Sequence, residues 1–320
     1  MEVTMRIQLN QVDKVEVTTL QDNYIDLVAR DNNEVVHRAN PLKGNELGNS
    51  IRAEHGFSTW ITITKNGTAR HMLFDFGFSE DGAALNAKAL NADLSQVEVL
   101  VLSHGHLDHL GGLESLVKAV GKKNLTLVVH PGTFVKPRYR KSIHGLRTYI
   151  PSLSREIADR AAVTIIETQE PYPLIDSDGI FLGEIPRVTD FEKGVPDMYY
   201  EVEGEEKQDP FHDDSGVVFN IRDKGLVVIS GCAHAGIVNT VTYAQHVTGV
   251  TDVWAVMGGF HLSGADFDGV ISPTTAGLKE IDPHYIIPAH CTGRDAVMHI
   301  EREMPDAFLL NMAGTKMTFA

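Results

Sequence analysis

Residues 103–109 read Ser-His-Gly-His-Leu-Asp-His, so three imidazoles and a carboxylate fall within the last six residues of the stretch. The largely apolar run 97–102 before it is short enough to be a buried strand. The pair Gly111-Gly112 after it lets the backbone pack closely before a helix starts. A solvated polar loop would explain one or two histidines, but this density of side chains predicts a metal site.

The residue types in this stretch suit zinc, manganese or iron, because imidazole and carboxylate are ligands for all three. Alternation along an extended loop would direct His104 and His106 to one ion and Asp108 and His109 to a second. We therefore expect two divalent metal ions, zinc first, with manganese or iron as alternatives.

Short apolar runs alternate with helical stretches through both halves of the chain, which predicts an α/β (α+β) fold. We expect a hairpin around Lys65-Asn66-Gly67 and helices over about 81–91, 113–120 and 237–247. A two-sheet α/β enzyme can fill 320 residues as one unit. We therefore predict a single domain, 1–320, with an inserted excursion over the active-site face at about 134–178.

Three later histidines each follow a strand-like apolar run, and these are the candidates to complete the site. His234 follows 227–230, His261 follows 253–257 and His290 follows 285–288. Strand ends are where an α/β fold gathers its functional loops.

The pattern HxHxDH after a strand, followed by GG, resembles the signature of the metallo-β-lactamase superfamily. The resemblance implies a four-layer αββα sandwich, with two sheets face to face and the metals at one edge between them. By that pattern His104 and His106 belong to the first metal, whereas Asp108 and His109 belong to the second. His290 resembles the last histidine of the superfamily, a ligand of the second metal, and we expect His234 to complete the first.

The resemblance also gives a role to Asp75, whose equivalent is a carboxylate behind the ligands that orients their loop; a turn aspartate before glycine is the alternative. In the best-known pattern a bridging Asp or Cys comes from a separate segment, and this chain departs from it, so the bridging group stays open. Cys232 is either a thiolate ligand or a small buried residue. Glu184 is either a ligand or an exposed turn carboxylate.

A branch of the superfamily matches more of the chain. It is the branch related to the methanopterin-pathway enzyme that joins a dihydropterin to a ribofuranosylaminobenzene phosphate. The matching pieces are LQDN at 20–23, EHGFS at 54–58, GEIPR at 183–187, HDD at 212–214, GCAHAGIVN at 231–239, GGFHL at 258–262 and PAHCTG at 288–293.

Hydrolysis is the chemistry expected of such a site, because two metal ions lower the pKa of a bound water and polarise the bond that it attacks. Asp108 is the candidate proton acceptor, and His261 is a candidate proton donor or substrate contact, or a histidine hydrogen-bonded behind the ligands. Lys136, Arg138 and Arg187 are candidates to contact a phosphorylated or carboxylated small molecule, with a solvated basic surface as the alternative.

Three other functions compete with hydrolysis. A non-heme iron site of the same fold performs redox chemistry on oxygen or persulfides, although no flavin domain is evident for oxygen reduction. A pterin-related transferase is what the branch implies. A non-catalytic binding module is disfavoured by the complete set of ligands.

The composition limits which classes of partner can be expected. The net charge of −15 argues against nucleic acid and anionic membranes as partners. No run approaches the roughly 20 apolar residues of a membrane span, and the opening MEVTMRIQLN lacks a secretion signal, so we expect a cytoplasmic protein. Two cysteines cannot form a disulfide framework for this length. The oligomeric state is left open.

Overall fold

Two β-sheets packed face to face form the centre of the computed structural model, which describes residues 6–43, 45–48 and 50–320. The first sheet contains, in spatial order, Val163–Glu167, Leu125–Val129, Val97–Val101, Thr68–Phe74, Ser58–Lys65, Lys14–Gln21, Lys316–Phe319 and Val36–His37. The second sheet contains Tyr172–Leu174, Gly179–Phe181, Gly216–Ile221, Gly225–Ser230, Val253–Gly259 and Tyr285–Ala289, and Gln11–Val12 pairs with Gly216–Ile221.

Helices cover the outer faces of both sheets. The α-helices are α1 (Gly82–Ala89), α2 (Leu107–Leu110), α3 (Leu113–Val120), α4 (Arg155–Ala161), α5 (Ile237–Thr248), α6 (Asp268–Ile281) and α7 (Arg294–Glu303). Short 3₁₀ turns cover Leu94–Gln96, Pro131–Phe134, Ala265–Phe267 and His290–Thr292. Helices α1, α3 and α4 share an apolar cluster with the first sheet, and α5, α6 and α7 share one with the second. The predicted four-layer αββα architecture is confirmed.

The layer between the sheets explains why the strands are so apolar. Side chains from both sheets meet there, for example Met72 and Phe74 from the first and Val227 and Met257 from the second. The strand Gly225–Ser230 is buried at every position. A strand with covered faces on both sides reads as a continuous apolar run, which is the pattern seen in the sequence.

A small sheet of four strands, in the described part of the chain, lies outside the sandwich and is built from two distant segments. We call it the small sheet; its strands are Arg147–Ile150, Arg138–Lys141, Met198–Val202 and Glu205–Gln208. Within the predicted excursion at 134–178, only the first two of these strands leave the sandwich, because Val163–Glu167 and Tyr172–Leu174 are edge strands of the large sheets. A separate hairpin pairs Leu42–Lys43 with Glu46–Leu47. That the chain is a single domain stays a prediction.

Parallel pairing brings the histidine-bearing loops to one edge. Val97–Val101 lies between two parallel neighbours in the first sheet. In the second sheet Gly225–Ser230, Val253–Gly259 and Tyr285–Ala289 run parallel to one another. Loops that follow parallel strands leave from the same side of a sheet. Within the described part of the chain, none of the helices is long and apolar enough to cross a membrane.

Candidate metal centre

The loop after Val97–Val101 does not stay extended through the whole predicted ligand stretch. His104 and His106 precede helix α2, whereas Asp108 and His109 lie within it. Asp108 and His109 therefore project from a helical turn, whereas His104 and His106 lie on the extended chain before it. Simple alternation along an extended loop was expected for all four. The close packing expected of Gly111 is present, since a Cβ at this position would overlap the Phe78 carbonyl oxygen.

One group of potential ligands consists of His104, Cys232 and His234, whose ligand atoms all lie within 4.8 Å of one another. The Nε2 atoms of His104 and His234 are 3.2 Å apart. The His106 ring centroid lies 4.6 Å from that of His104 and 5.0 Å from that of His234. Its Nε2 is buried without a hydrogen-bond partner, so His106 adjoins this group with an unsatisfied polar atom.

A second group consists of Asp108, His109, Cys232 and His290, again within 4.8 Å. Asp108 Oδ2 lies 3.2 Å from His290 Nε2 and 3.7 Å from His109 Nε2. Cys232 Sγ lies 3.1 Å from His109 Nε2. The structure therefore brings together all six predicted ligands and adds Cys232.

Asp75 holds the ligand loop from behind. Its carboxylate accepts hydrogen bonds from the Ser103 backbone N–H at 2.7 Å and from Ser103 Oγ at 2.8 Å. Its Oδ2 also lies 2.6 Å from His109 Nδ1. Because a carboxylate accepts, the proton of His109 resides on Nδ1, and Nε2 is left with a lone pair directed at the site.

A second aspartate and its neighbour orient His290. Asp22 Oδ1 accepts the His290 backbone N–H at 2.8 Å, and Asn311 donates to Asp22 Oδ2 at 2.7 Å. The Asn23 amide lies 3.3 Å from His290 Nδ1, so Nε2 of His290 is the nitrogen that faces Asp108. Asp22 and Asn23 belong to the LQDN piece of the sequence. Their role could not be predicted from that piece alone, because it depends on their position beside His290.

Burial sets the protonation of the imidazoles. Desolvation lowers the pKa of His104 and His234 well below the usual range, that of His106 to about 3, and that of His290 to about 4. Burial also acts on His109, but the charges of Asp75 and Asp108 outweigh it and raise its pKa. His104, His106, His234 and His290 are therefore neutral at neutral pH, so each of them can donate a lone pair to a cation.

The donor set fits divalent cations. Buried imidazoles with unsatisfied nitrogens crowd against a carboxylate, although burial costs a polar atom free energy unless it has a partner. For Asp108, burial raises the pKa, but His109 and His290 lower it well below its usual value, so the carboxylate is ionised. Neutral imidazole, thiolate and carboxylate are the ligand types of zinc sites.

The remaining predicted residues lie at different distances from these groups. His261 is at the centre: its ring is 4.3 Å from that of His234, and burial lowers its pKa to about 4. Arg187 donates to the His234 carbonyl oxygen at 3.3 Å, so it supports the loop. Glu184 belongs to neither ligand group and pairs with His212 at 2.7 Å.

Neither Lys136 nor Arg138, the predicted anion contacts, lines the cavity that the histidines face. Lys136 is exposed outside the cavity that the histidines line. Arg138 is 2% exposed and ion-paired: it donates to Asp213 at 2.8 and 2.6 Å, and its Nε lies 2.8 Å from Asp209. Acidic residues from distant segments neutralise Arg138, Arg140 and Lys141, and the sequence of the basic run alone could not reveal these partners.

Two further residues that contribute to the site, Asp213 and His55, were not predicted from the sequence. Asp213 Oδ2 accepts the Gly105 backbone N–H at 2.9 Å, which fixes the loop between His104 and His106. His55 lies at the entrance, with Nε2 3.5 Å from Asp108 Oδ2. The HDD and EHGFS pieces of the sequence contained these residues, but their roles depend on contacts across the fold.

A cavity of about 540 Å³ opens beside both ligand groups. Its walls include His106, Asp108, Cys232, His234, His261 and His290. The small sheet contributes Arg140 and Tyr149, and Phe78 and Phe267 add apolar surface. This volume suits a small molecule.

Comparisons with known proteins agree with this architecture. The model of the metallo-beta-lactamase superfamily matches residues 52–246. A Methanocaldococcus jannaschii protein named 7,8-dihydropterin-6-methyl-4-(beta-D-ribofuranosyl)-aminobenzene-5'-phosphate synthase is 28% identical over 98% of this chain and 100% of its own. An uncharacterised protein of the same organism is 30% identical over 78% of this chain and 88% of its own.

Among solved structures, that of Tm1679, described as a metal-dependent hydrolase of the beta-lactamase superfamily, superposes with a TM-score of 0.72. It is 24% identical and covers 95% of this chain and 98% of its own, which shows a shared fold. The matched family model spans more than half of the sequence, including the whole HxHxDH loop. The chain therefore belongs to the metallo-β-lactamase superfamily.

Proposed function

We propose that this chain is a hydrolase that uses a water molecule activated at a dinuclear metal site, with a phosphorylated or carboxylated small molecule as substrate. The observation that carries the proposal is the adjacency of two ligand groups at the wall of one cavity. His104, His106 and His234 would hold one ion, and Asp108, His109 and His290 the other. Zinc is the expected metal, with manganese or iron as alternatives.

Two bound divalent ions supply an acidified water and polarise the bond under attack. The chain's own groups then handle the protons. The Asp108 carboxylate is ionised and partly exposed to the cavity, so it can accept a proton from water. His55 Nε2, 3.5 Å away and largely exposed, is placed to pass that proton to solvent.

His261 acts in a different way from a charged acid. Since burial lowers its pKa to about 4, its ring is neutral at pH 7, and its Nδ1 is buried without a partner. A neutral imidazole offers one hydrogen bond to a substrate but holds no spare proton. We therefore propose that His261 contacts the substrate rather than protonates the leaving group.

Arg140 is the cation that we propose for the anionic part of the substrate. It lines the cavity from the small sheet, and its guanidinium is largely exposed and paired with Asp197. A planar guanidinium matches the two oxygens of a carboxylate or phosphate. An anionic group entering the cavity would compete with Asp197 for this side chain.

A second candidate function is a pterin-related transferase. The synthase relative matches this chain over nearly its full length, and the cavity exposes Phe78, Tyr149 and Phe267 for contact with an aromatic ring. This function predicts binding of an aromatic ribosyl phosphate without water-dependent cleavage.

One experiment separates these functions. Protein purified without added metal is analysed for metal content and for turnover of a generic phosphodiester, a lactone and a β-lactam. His106→Ala is the test variant, and His246→Ala, a change of an exposed histidine on α5, is the matched control. About two zinc or manganese ions and cleavage of one substrate, both lost only in His106→Ala, would support the hydrolase. Bound iron without any hydrolysis would contradict the hydrolase and favour redox chemistry.

A further inference from the structure

We propose, on the basis of the dinuclear site proposed above, that Cys232 is a thiolate ligand shared by both metal ions. Its Sγ lies within 4.8 Å of the ligand atoms of Asp108, His109 and His290. It also lies within 4.8 Å of the ligand atoms of His104 and His234. In residues 6–43, 45–48 and 50–320, no other side chain belongs to both groups.

The orientation of His109 directs its lone pair at the sulfur. Asp75 occupies Nδ1 of His109 at 2.6 Å, and Nε2 then lies 3.1 Å from Cys232 Sγ. Two ligands of one tetrahedral zinc ion, at about 2.1 Å for nitrogen and 2.3 Å for sulfur, lie roughly 3.5 Å apart. The two atoms, at 3.1 Å, are therefore slightly closer than neighbours around a common ion, and a small outward shift would let them share one.

None of the neighbouring carboxylates in the described part of the chain belongs to both ligand groups. Asp213 is held by Arg138 and by the Gly105 N–H. Asp214 Oδ2 accepts the Ala235 backbone N–H at 2.9 Å, and its Oδ1 is buried without a partner, but Asp214 belongs to neither group. Asp108 belongs to the second group alone. The position between the groups is thus left to the sulfur of Cys232, which is 2% exposed.

Cys291 supports the shared sulfur without belonging to either group. Its Sγ lies 3.2 Å from Cys232 Sγ, so its S–H can donate to that sulfur once Cys232 has lost its proton. A donor of this kind stabilises negative charge on the acceptor. When the metal–sulfur bonds form, the Cys232 proton leaves to solvent and Cys291 keeps its own. Cys291 is a positioning residue in this arrangement.

Cobalt titration of the metal-free, reduced protein tests the proposal, because thiolate-to-cobalt charge transfer absorbs in the near ultraviolet and d–d bands report all bound cobalt. For a shared thiolate, the near-ultraviolet band of the wild-type protein grows through both equivalents of cobalt. A terminal thiolate gives a band that grows during only one of the two equivalents, whichever site fills first, and this result would overturn sharing. This stoichiometry is read on the wild-type chain and needs no variant.

Two variants then assign the band. We expect Cys232→Ser to lose it while d–d bands persist, and Cys291→Ser to retain it. A band that survives in Cys232→Ser, or two bound cobalt ions without any thiolate band in the wild type, overturns the role of Cys232 but leaves the dinuclear hydrolase standing. Absence of cobalt binding, with no d–d bands, removes both proposals together.

Discussion

Asp213 offers the sharpest test of how the fold holds the ligand loop. The change Asp213→Ala removes the acceptor of two Arg138 hydrogen bonds, at 2.8 and 2.6 Å, and that of the Gly105 N–H at 2.9 Å. Arg138 is 2% exposed, so its charge cannot recover these interactions from water. Asp209, 2.8 Å from Arg138 Nε, remains as a partial partner.

The cost follows from the loss of one member of a buried ion pair, which is about 3 to 5 kcal/mol. We expect the lower part of this range, since Asp209 still compensates the guanidinium. With an unfolding entropy of about 2.1 cal/mol/K per residue over 320 residues, the melting temperature should fall by about 4 to 6 °C. Because the Gly105 N–H also loses its acceptor, zinc affinity should fall by about 10- to 100-fold.

Thermal unfolding followed by circular dichroism gives the melting temperature, and competition with a chromophoric chelator gives the zinc affinity. Asp159→Ala, a change of an exposed aspartate on α4, is the matched control and should alter neither. Asp213→Asn keeps an acceptor for Gly105 and should recover part of the zinc affinity. A loss of stability below about 1 kcal/mol in Asp213→Ala, together with wild-type zinc affinity, would refute this account of the loop.

Three further predictions concern the same surroundings. Asp75→Asn weakens the hold on His109 Nδ1 and should lower zinc affinity by about 10- to 100-fold in the chelator competition, whereas unchanged affinity would contradict the orienting role. Gly231→Ala places a Cβ against Ser103 Oγ and should cost about 1 to 3 kcal/mol in denaturant unfolding, while Gly269→Ala, whose Cβ meets nothing within 4 Å, should not destabilise. Burial opposes ionisation of Asp213, but Arg138 lowers the pKa of this carboxyl to about 2. The stability that ionised Asp213 adds to the folded state is therefore present above pH 3.8 and lost as the pH falls through 2. The stability gap between wild type and Asp213→Asn should therefore shrink by roughly 2 kcal/mol from pH 5 to pH 2, and a constant gap would exclude an ionised Asp213 as its source.

The sequence predicted the ligand-bearing loops well, because each lies directly after a short apolar strand. Parallel pairing of those strands then brings His104, His234 and His290 to one edge, as the strand-end reasoning anticipated. The helix boundaries were also close: the expected helix at 113–120 is α3, and that at 237–247 is α5.

Contacts between remote segments were beyond the reach of sequence patterns. The basic run 136–141 suggested an anion site, yet Arg138, Arg140 and Lys141 pair with acids at 197, 206, 209 and 213. The position of Cys232 between two groups likewise depends on loops from both sheets. The small sheet was missed as a unit because its strands come from 138–150 and 198–208, separated by edge strands of the sandwich.

The proposed ligands come from both large sheets: His104 and His109 leave the first, and His234 and His290 leave the second. Neither half of the chain alone carries a complete set, so tight metal binding is available only to a molecule in which both sheets have folded and docked. A ligand that binds the native state alone raises its stability by mass action. The metal supply of the cell would then set the lifetime of the protein as well as its activity: when metal is scarce, the two sheets separate more often and expose the chain to proteases.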